Sequence, residues 1–330
     1  MKKTGGLAKV RKEVVRFREE TFKAIEGKLV GYEKPSEHIM TALLASGHVL
    51  ITGLPGLGKT MMVKLFSSLW GLKFNRIQFT PDLLPSDITG TEILQEEKTG
   101  KGTTRKFVFQ KGPIFANILL ADEINRTPPK TQSALLQAME EREVTVGGKH
   151  FALPDPFFVL ATQNPIEMEG TYPLPEAQLD RFLFFLELTY PDEQAEQEIA
   201  LMKPMGEKDF SKLKAVTGPN HINRWKEAVD EIPVPDSLLE AVVISVRNTR
   251  PETGCEAAKK YVEFGAGPRA TQYVIRAARA RALLLGENVV TEDHIREVFF
   301  PALKHRIILN YVGLAEKVNV EDVLSDALTL

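Results

Sequence analysis

The chain has 330 residues, 43% of them hydrophobic and 26% charged, with a formal net charge of −2 and an isoelectric point near 6.4. The length implies about two domains, the composition is that of a soluble globular protein, and the acidic balance lacks the basic excess of a general nucleic-acid binder. The single cysteine, Cys255, rules out an intrachain disulfide and argues against a cysteine-based zinc site. Residues 1–10 are basic without the apolar core of a signal peptide, and the longest apolar runs, such as 182–186, are too short to span a bilayer. These features lead us to expect a cytoplasmic protein.

Residues 1–14 read as an N-terminal tail. Residues 11–45 then carry a helical pattern, with Val14, Val15, Phe17, Phe22 and Ile25 on one apolar face. Five short apolar runs follow, at 48–52, 74–79, 117–121, 157–162 and 182–188, each suited to a strand buried on both faces. Helical stretches separate them, including a stripe of Met62, Val63, Phe66, Leu69 and Trp70 that Gly71 can end, and a segment at 131–141. This alternation predicts an α/β core with a five-stranded parallel sheet. Two hairpins interrupt it. One pairs 88–94 with 106–111 across the polar stretch 96–105, where Lys98, Lys101, Arg105 and Lys106 make it basic. The other pairs 143–146 with 149–153 around Gly147-Gly148. Beyond Pro191 the pattern turns helical at 192–202, 222–231, 236–248, 268–285 and 291–310. The predicted division is a core at 15–190 and a helical lid at 191–330.

The chemistry starts at Gly53-Leu54-Pro55-Gly56-Leu57-Gly58-Lys59-Thr60, which fits the phosphate-loop pattern GxxxxGK[ST] between a strand and a helix. Glycines let backbone N–H groups curl around an anion. The helix N-terminus adds free donors and a favourable dipole. Lys59 supplies a mobile positive charge for the β- and γ-phosphates, and Thr60 a hydroxyl for Mg2+. Met61 continues the expected nucleotide-contacting run. The strand at 117–121 ends in Asp122-Glu123. Magnesium prefers oxygen ligands, so Asp122 is expected to serve it, and Glu123 to orient and polarise the attacking water. ATP and Mg2+ are the expected ligand and cofactor. The six histidines show no metal-ligand spacing.

The paired motifs resemble those of AAA+ ATPases. Ala121-Asp122-Glu123-Ile124-Asn125-Arg126, Ala161-Thr162-Gln163-Asn164-Pro165-Ile166 and the run from Gly170-Thr171-Tyr172 to Asp180-Arg181-Phe182 resemble the MoxR family specifically. The likeness extends over roughly 15–310. It implies that Asn164 is sensor 1, and that Arg181 is an arginine finger acting on a neighbouring subunit's ATP, with a structural ion pair to Asp180 or another acid as its plainer alternative. It further implies that Arg269, in Gly267-Pro268-Arg269, is sensor 2 and reaches back to the γ-phosphate. Val30 and Gly31 sit where such proteins contact adenine. The first hairpin resembles the insert in helix 2. Arg276, Arg279 and Arg281 make a lid helix basic, for a solvated face or a neighbour. The resemblance implies a hexameric ring of identical subunits that remodels or matures a separate protein carrying a von Willebrand factor A domain. A DNA-directed motor and a non-hydrolysing nucleotide-gated scaffold are the alternatives.

Overall fold

The computed structural model describes residues 4–99, 102–164 and 170–330; Lys101, Pro165 and Ile166 lie outside them. The helix α1 (Thr4–Ile25) starts well before residue 14. Val10, Val14 and Phe17 on its apolar face are buried, so residues 4–14 are part of a packed helix and not a tail. A turn through Gly27 and Gly31, both at positive φ, breaks the helical pattern before α2 (Glu33–Leu44).

The core then runs β1 (Val49–Gly53), α3 (Lys59–Leu69), β2 (Phe74–Gln78), α4 (Pro85–Thr89), β3 (Gly90–Thr99), β4 (Gly102–Lys111), β5 (Ile118–Asp122), α5 (Pro129–Glu141), β6 (Glu143–Val146), β7 (Lys149–Ala152), β8 (Phe158–Gln163), α6 (Glu176–Leu179) and β9 (Phe184–Leu188). Five of these strands form one parallel sheet in the order β2-β5-β8-β1-β9. Alternation of side chains across a pleat sorts them to two faces. Val49, Ile51, Ile118, Leu120, Phe158 and Leu160 join one buried cluster with α1, α3 and the lid. Leu50, Leu119, Ala121, Val159 and Ala161 join a second with α5.

The two hairpins are β3–β4 and β6–β7. The first is longer than its sequence implied: pairing continues from Gly90↔Lys111 to Thr99↔Gly102. The second turns at Gly147 and Gly148, with φ +58° and +75°, values open to glycine at little cost. Phe109 of the first stacks on Phe151 of the second, with ring centroids 4.1 Å apart. Arg105 pairs with Glu96 at 2.7 Å.

The lid contains α7 (Glu193–Leu201), α8 (Glu207–Lys212), α9 (Pro219–Val229), α10 (Asp236–Asn248), α11 (Glu256–Tyr261), β10 (Val262–Phe264), α12 (Pro268–Leu285), α13 (Glu292–Leu303), β11 (Ile308–Leu309), α14 (Tyr311–Ala315) and α15 (Val320–Ala327). It is helical apart from the short antiparallel pair β10–β11, which ends the stretch expected as a continuous helix at 291–310. Aromatic packing fixes it to the core. Phe17 of α1 lies 5.7 Å from the Trp70 ring and 5.1 Å from the Trp225 ring of α9. Arg281 of α12 is neither solvated nor free for a neighbour: it bonds Glu37 of α2 at 2.9 Å, and both are largely buried.

His48 enters β1 from below and is fully buried. Its Nδ1 accepts the Val159 N–H at 3.0 Å, and Nε2 lies 3.3 Å from the Met139 carbonyl. That pattern requires a neutral ring, and burial holds His48 well below the ordinary histidine range. His305, 3.1 Å from the Phe182 carbonyl, is likewise held well below it by burial, with Arg306 adding to the effect. Burial also lowers His38 and His294. Each binds a proton more readily unfolded than folded, so stability is present above pH ~6.5 and declines as pH falls, by up to about 1.4 kcal/mol per pH unit per histidine. Urea unfolding between pH 8 and 5 is expected to show a midpoint that drops steadily below pH ~6.5; a flat midpoint down to pH 5 would contradict these neutral assignments.

Candidate functional site

The phosphate loop joins β1 to α3 at the C-terminal end of the sheet. Gly56 and Gly58 have φ +85° and +69°, where a side chain would add strain, and Gly58 caps α3. Gly53 is needed for a second reason: a Cβ there would lie 2.9 Å from the Leu188 carbonyl of β9. Lys59 is half-buried, and its Nζ donates to the Gly53 carbonyl at 2.7 Å, across the loop it belongs to. Burial lowers its ammonium below the ordinary lysine range, opposed by the charges of Asp122 and Glu123. Thr60 and Met61 follow in the first turn of α3, both partly exposed.

Parallel pairing of β5 with β8 brings the acidic pair to the same edge. Asp122 is nearly buried and accepts three hydrogen bonds. Thr162 of β8 donates to one carboxylate oxygen at 2.6 Å, and Arg76 of β2 donates to the other through Nε at 3.1 Å and Nη2 at 2.7 Å. A carboxylate offers about four lone-pair sites, so capacity for a metal-bound water is left. Glu123 occupies the left-handed region, φ +59°, ψ 50°, uncommon for a residue with a side chain. Its N–H donates to the Thr162 hydroxyl at 2.9 Å and its carbonyl accepts from Arg126 N–H at 2.9 Å. Thr162 therefore ties both acids to β8. The Glu123 carboxylate meets Gln78 Nε2 at 2.8 Å and Arg126 Nε at 3.2 Å. Asn164 is buried one residue past the Thr52↔Gln163 pairing of β1 and β8, so it too lies at the phosphate-loop end.

Beside the loop is a cleft of about 910 Å³ whose lining includes Val30, Gly31, Tyr32, Leu188, Tyr190 and Ala195. Gly31 has φ +76°. The Tyr32 hydroxyl donates to the Leu57 carbonyl, linking the cleft to the phosphate loop. Glycines at positive φ, a lysine bonded to a loop carbonyl, a helix N-terminus and nearby oxygen donors fit a triphosphate with a hard cation. The cleft next to them is mixed in character, and its wall of Val30, Leu188, Tyr190 and Ala195 fits a base. Among the described residues no cluster of three or more His, Cys, Asp or Glu side chains forms a protein-only metal cage. A cation held mainly by phosphate oxygens needs none.

The two arginines are elsewhere. Arg181 precedes β9, whose Phe184 pairs with Val49, whereas Leu188 pairs with Gly53. Four strand residues, about 13 Å, separate those two pairings. Arg181 thus stands at the N-terminal end of the sheet, away from its own Lys59. Its Nη1 donates to the Leu136 carbonyl of α5 at 2.6 Å, and Nη2 meets Glu140 at 3.0 Å. Arg269, at the start of α12, was expected to reach back to the γ-phosphate of its own loop. The structure corrects this: Arg269 bonds Glu140 at 3.3 Å and Asp180 at 3.4 Å, beside Arg181. The cause is how α12 is docked, with Tyr273 one turn on, 3.5 Å from the Arg181 carbonyl. Arg306, almost wholly buried, fixes this corner: it bonds Asp180 Oδ1 at 2.7 Å and the Asp180 and Phe182 carbonyls at 2.9 and 2.7 Å.

Sequence reasoning missed Thr162, Arg76, Gln78, Glu140 and Arg306. Thr162 lay inside a motif used only for Asn164. Arg76 and Gln78 alternate on β2 beside an acidic strand end, a legible signal once the β2–β5 pairing is known. Glu140 and Arg306 carried no local signal.

Comparison with known proteins agrees with this architecture. Residues 48–184 match the ATPase family associated with various cellular activities (AAA), and residues 256–327 match the AAA lid domain. The chain is 44% identical to Chaperone MoxR1 of Mycobacterium tuberculosis over 91% of this chain and 78% of that protein. It is 28% identical to Protein MoxR of Methylorubrum extorquens, over 92% and 89%. A crystal structure of a candidate ATPase from Cytophaga hutchinsonii superposes with a TM-score of 0.84 at 38% identity, covering 96% of both chains.

Removing Arg306 leaves the Asp180, Phe182 and Ala302 carbonyls and the Asp180 carboxylate short of a buried donor. Arg306→Ala is expected to cost on the order of 2–4 kcal/mol in unfolding free energy, read by urea denaturation. A cost below about 0.5 kcal/mol would show that the corner does not depend on it.

Proposed function

The chain belongs to the MoxR family of AAA+ ATPases, and we propose that it couples ATP binding and hydrolysis to remodelling or chaperone-like maturation of a partner protein. One observation carries this reading: the phosphate loop, the Asp122–Glu123 turn and Asn164 converge at one end of the sheet, while a bridged pair of arginines stands at the other.

In this reading Gly53–Thr60 and Met61 hold the phosphates, with Lys59 leaving the Gly53 carbonyl for the β- and γ-oxygens, and Val30 and Gly31 border the adenine. Thr60 and Asp122 hold Mg2+, which when bound neutralises phosphate charge and orders the triphosphate. Glu123 accepts a hydrogen bond from the attacking water and takes up its proton as attack proceeds. Asn164 orients that water. Arg181 and Arg269 stabilise charge developing on the ATP of an adjacent subunit, which requires an oligomer, in the family's manner a hexameric ring. Work on a partner fits the name chaperone carried by the mycobacterial relative. A separate protein with a von Willebrand factor A domain is the expected client, in the cytoplasm. Among the described residues no helix is long and apolar enough to cross a membrane. The alternative of a DNA-directed motor is disfavoured by the formal net charge of −2. The scaffold alternative is disfavoured by the presence of Glu123 and of both arginines.

Two variants test the assignment. Lys59→Ala is expected to weaken binding of a fluorescent ATP analogue by at least about tenfold, the loss of a charge-assisted contact. Glu123→Gln is expected to bind it like the parent while phosphate release falls by about 10²–10⁴-fold. Parental turnover in Glu123→Gln would remove Glu123 from the reaction, and ATP-independent capture of partners by that variant would count against remodelling.

A further inference from the structure

The two arginines share one acid. Glu140, the penultimate residue of α5, offers one carboxylate oxygen to each: Oε2 lies 3.0 Å from Arg181 Nη2, and Oε1 lies 3.3 Å from Arg269 Nη2. Arg181 is anchored to the same helix a turn earlier, at the Leu136 carbonyl. The nearby acids do not substitute for it. Asp180 approaches Arg269 at 3.4 Å, comparably to Glu140, but its other oxygen is on Arg306 at 2.7 Å, so it joins Arg269 to Arg306 and not to Arg181. Glu141 faces back along α5 to Gln137. All three bridged side chains remain partly exposed, at 30%, 42% and 47% for Arg181, Arg269 and Glu140, so the pair is held in place yet open to an incoming anion.

We propose that Glu140 is a positioning residue for the reaction at a neighbouring subunit's nucleotide: its carboxylate holds Arg181 and Arg269 side by side so that they meet the phosphates as one unit. The inference rests on the trans reading given above. Two guanidinium groups at close range repel each other, and each carries several freely rotating bonds. A bridging carboxylate removes the repulsion and fixes both rotamers before the phosphate arrives, which is pre-organisation of transition-state charge. The anchor of α5 is at its other end, where Gln132 Nε2 donates to the Ile124 and Tyr172 carbonyls at 3.2 and 3.0 Å. Glu140 is therefore carried on a helix that starts beside the Glu123 turn, so its position is fixed by the core and not by the lid alone.

The test uses the full-length oligomer and four variants: Glu140→Ala, Glu140→Gln, Arg181→Ala and Glu123→Gln. Glu140→Ala is expected to lower kcat by about 10- to 100-fold while the affinity for a fluorescent ATP analogue and the Tm stay near parental values. Glu140→Gln, which keeps an acceptor but not the charge, is expected to fall between. Mixing decides where the defect acts. Glu140→Ala subunits keep an intact ATP site, and Glu123→Gln subunits keep intact arginines, so mixed oligomers are expected to regain turnover that neither has alone. Parental kcat in both Glu140 variants, with Arg181→Ala inactive and rescued by mixing, overturns the role of Glu140 and leaves the trans reading standing. Parental kcat in Arg181→Ala overturns that reading and this inference with it. Loss of turnover in Glu140→Ala without rescue places the defect in its own site and also overturns the proposal. Should Glu140→Ala fold poorly, the same outcomes are read from Glu140→Gln.

Discussion

A parallel sheet has two chemically different ends, and in this chain Arg181 and Arg269 stand together at the end away from the phosphate loop. The register of β1 against β9 places Gly53 beside Leu188 and Val49 beside Phe184, with Arg181 further out still. The consequence is that the phosphate loop, the acidic pair with Arg76 and Arg126 beside it, and Asn164 collect at one end, and Arg181 and Arg269 at the other. On the proposed reading each end alone is half of a site for ATP hydrolysis, and assembly of two copies would complete it.

The rest of the fold keeps those two ends fixed with respect to each other. Thr162 binds the Asp122 carboxylate and the Glu123 N–H with one hydroxyl, so the strained turn at Glu123 is set by the β5–β8 pairing. At the far end Arg306 binds the turn that bears Arg181. Because Arg306 follows α13, the lid itself holds the arginine corner. Phe17 between Trp70 and Trp225 and Arg281 on Glu37 hold the same lid to the core from the other side. On the proposed reading a nucleotide at the cleft by Gly31 and Ala195 would touch the junction of core and lid, a route from ligand state to the lid without any change inside the sheet.

Local pattern carried much of this. Buried strands declare themselves as apolar runs because both their faces are covered, and all five fall within two residues of expectation. Gly147-Gly148 encodes its own turn, and α10 and α12 are bounded by the Pro and Gly residues that mark them. What was illegible depends on contacts between distant segments. Residues 4–14 look polar enough for a tail until Val10 and Val14 are buried in a cluster shared by core and lid. Arg281 looks like a solvated helix charge until Glu37, 244 positions away, is brought against it. Arg269 was assigned to its own subunit's phosphate because position in a motif carries no information about how a helix is docked. Glu140 sits in an ordinary amphipathic helix, and its meaning appears only when two arginines from other segments converge on it.

The central claim is that each catalytic unit is divided between two copies of the chain. The most direct measurement is a structure of the Glu123→Gln oligomer with ATP and Mg2+. The account predicts Lys59 of one subunit and the partner subunit's Arg181 and Arg269 on the same γ-phosphate. A γ-phosphate held by Lys59 and Arg269 of a single chain, with no arginine from a neighbour, would contradict it.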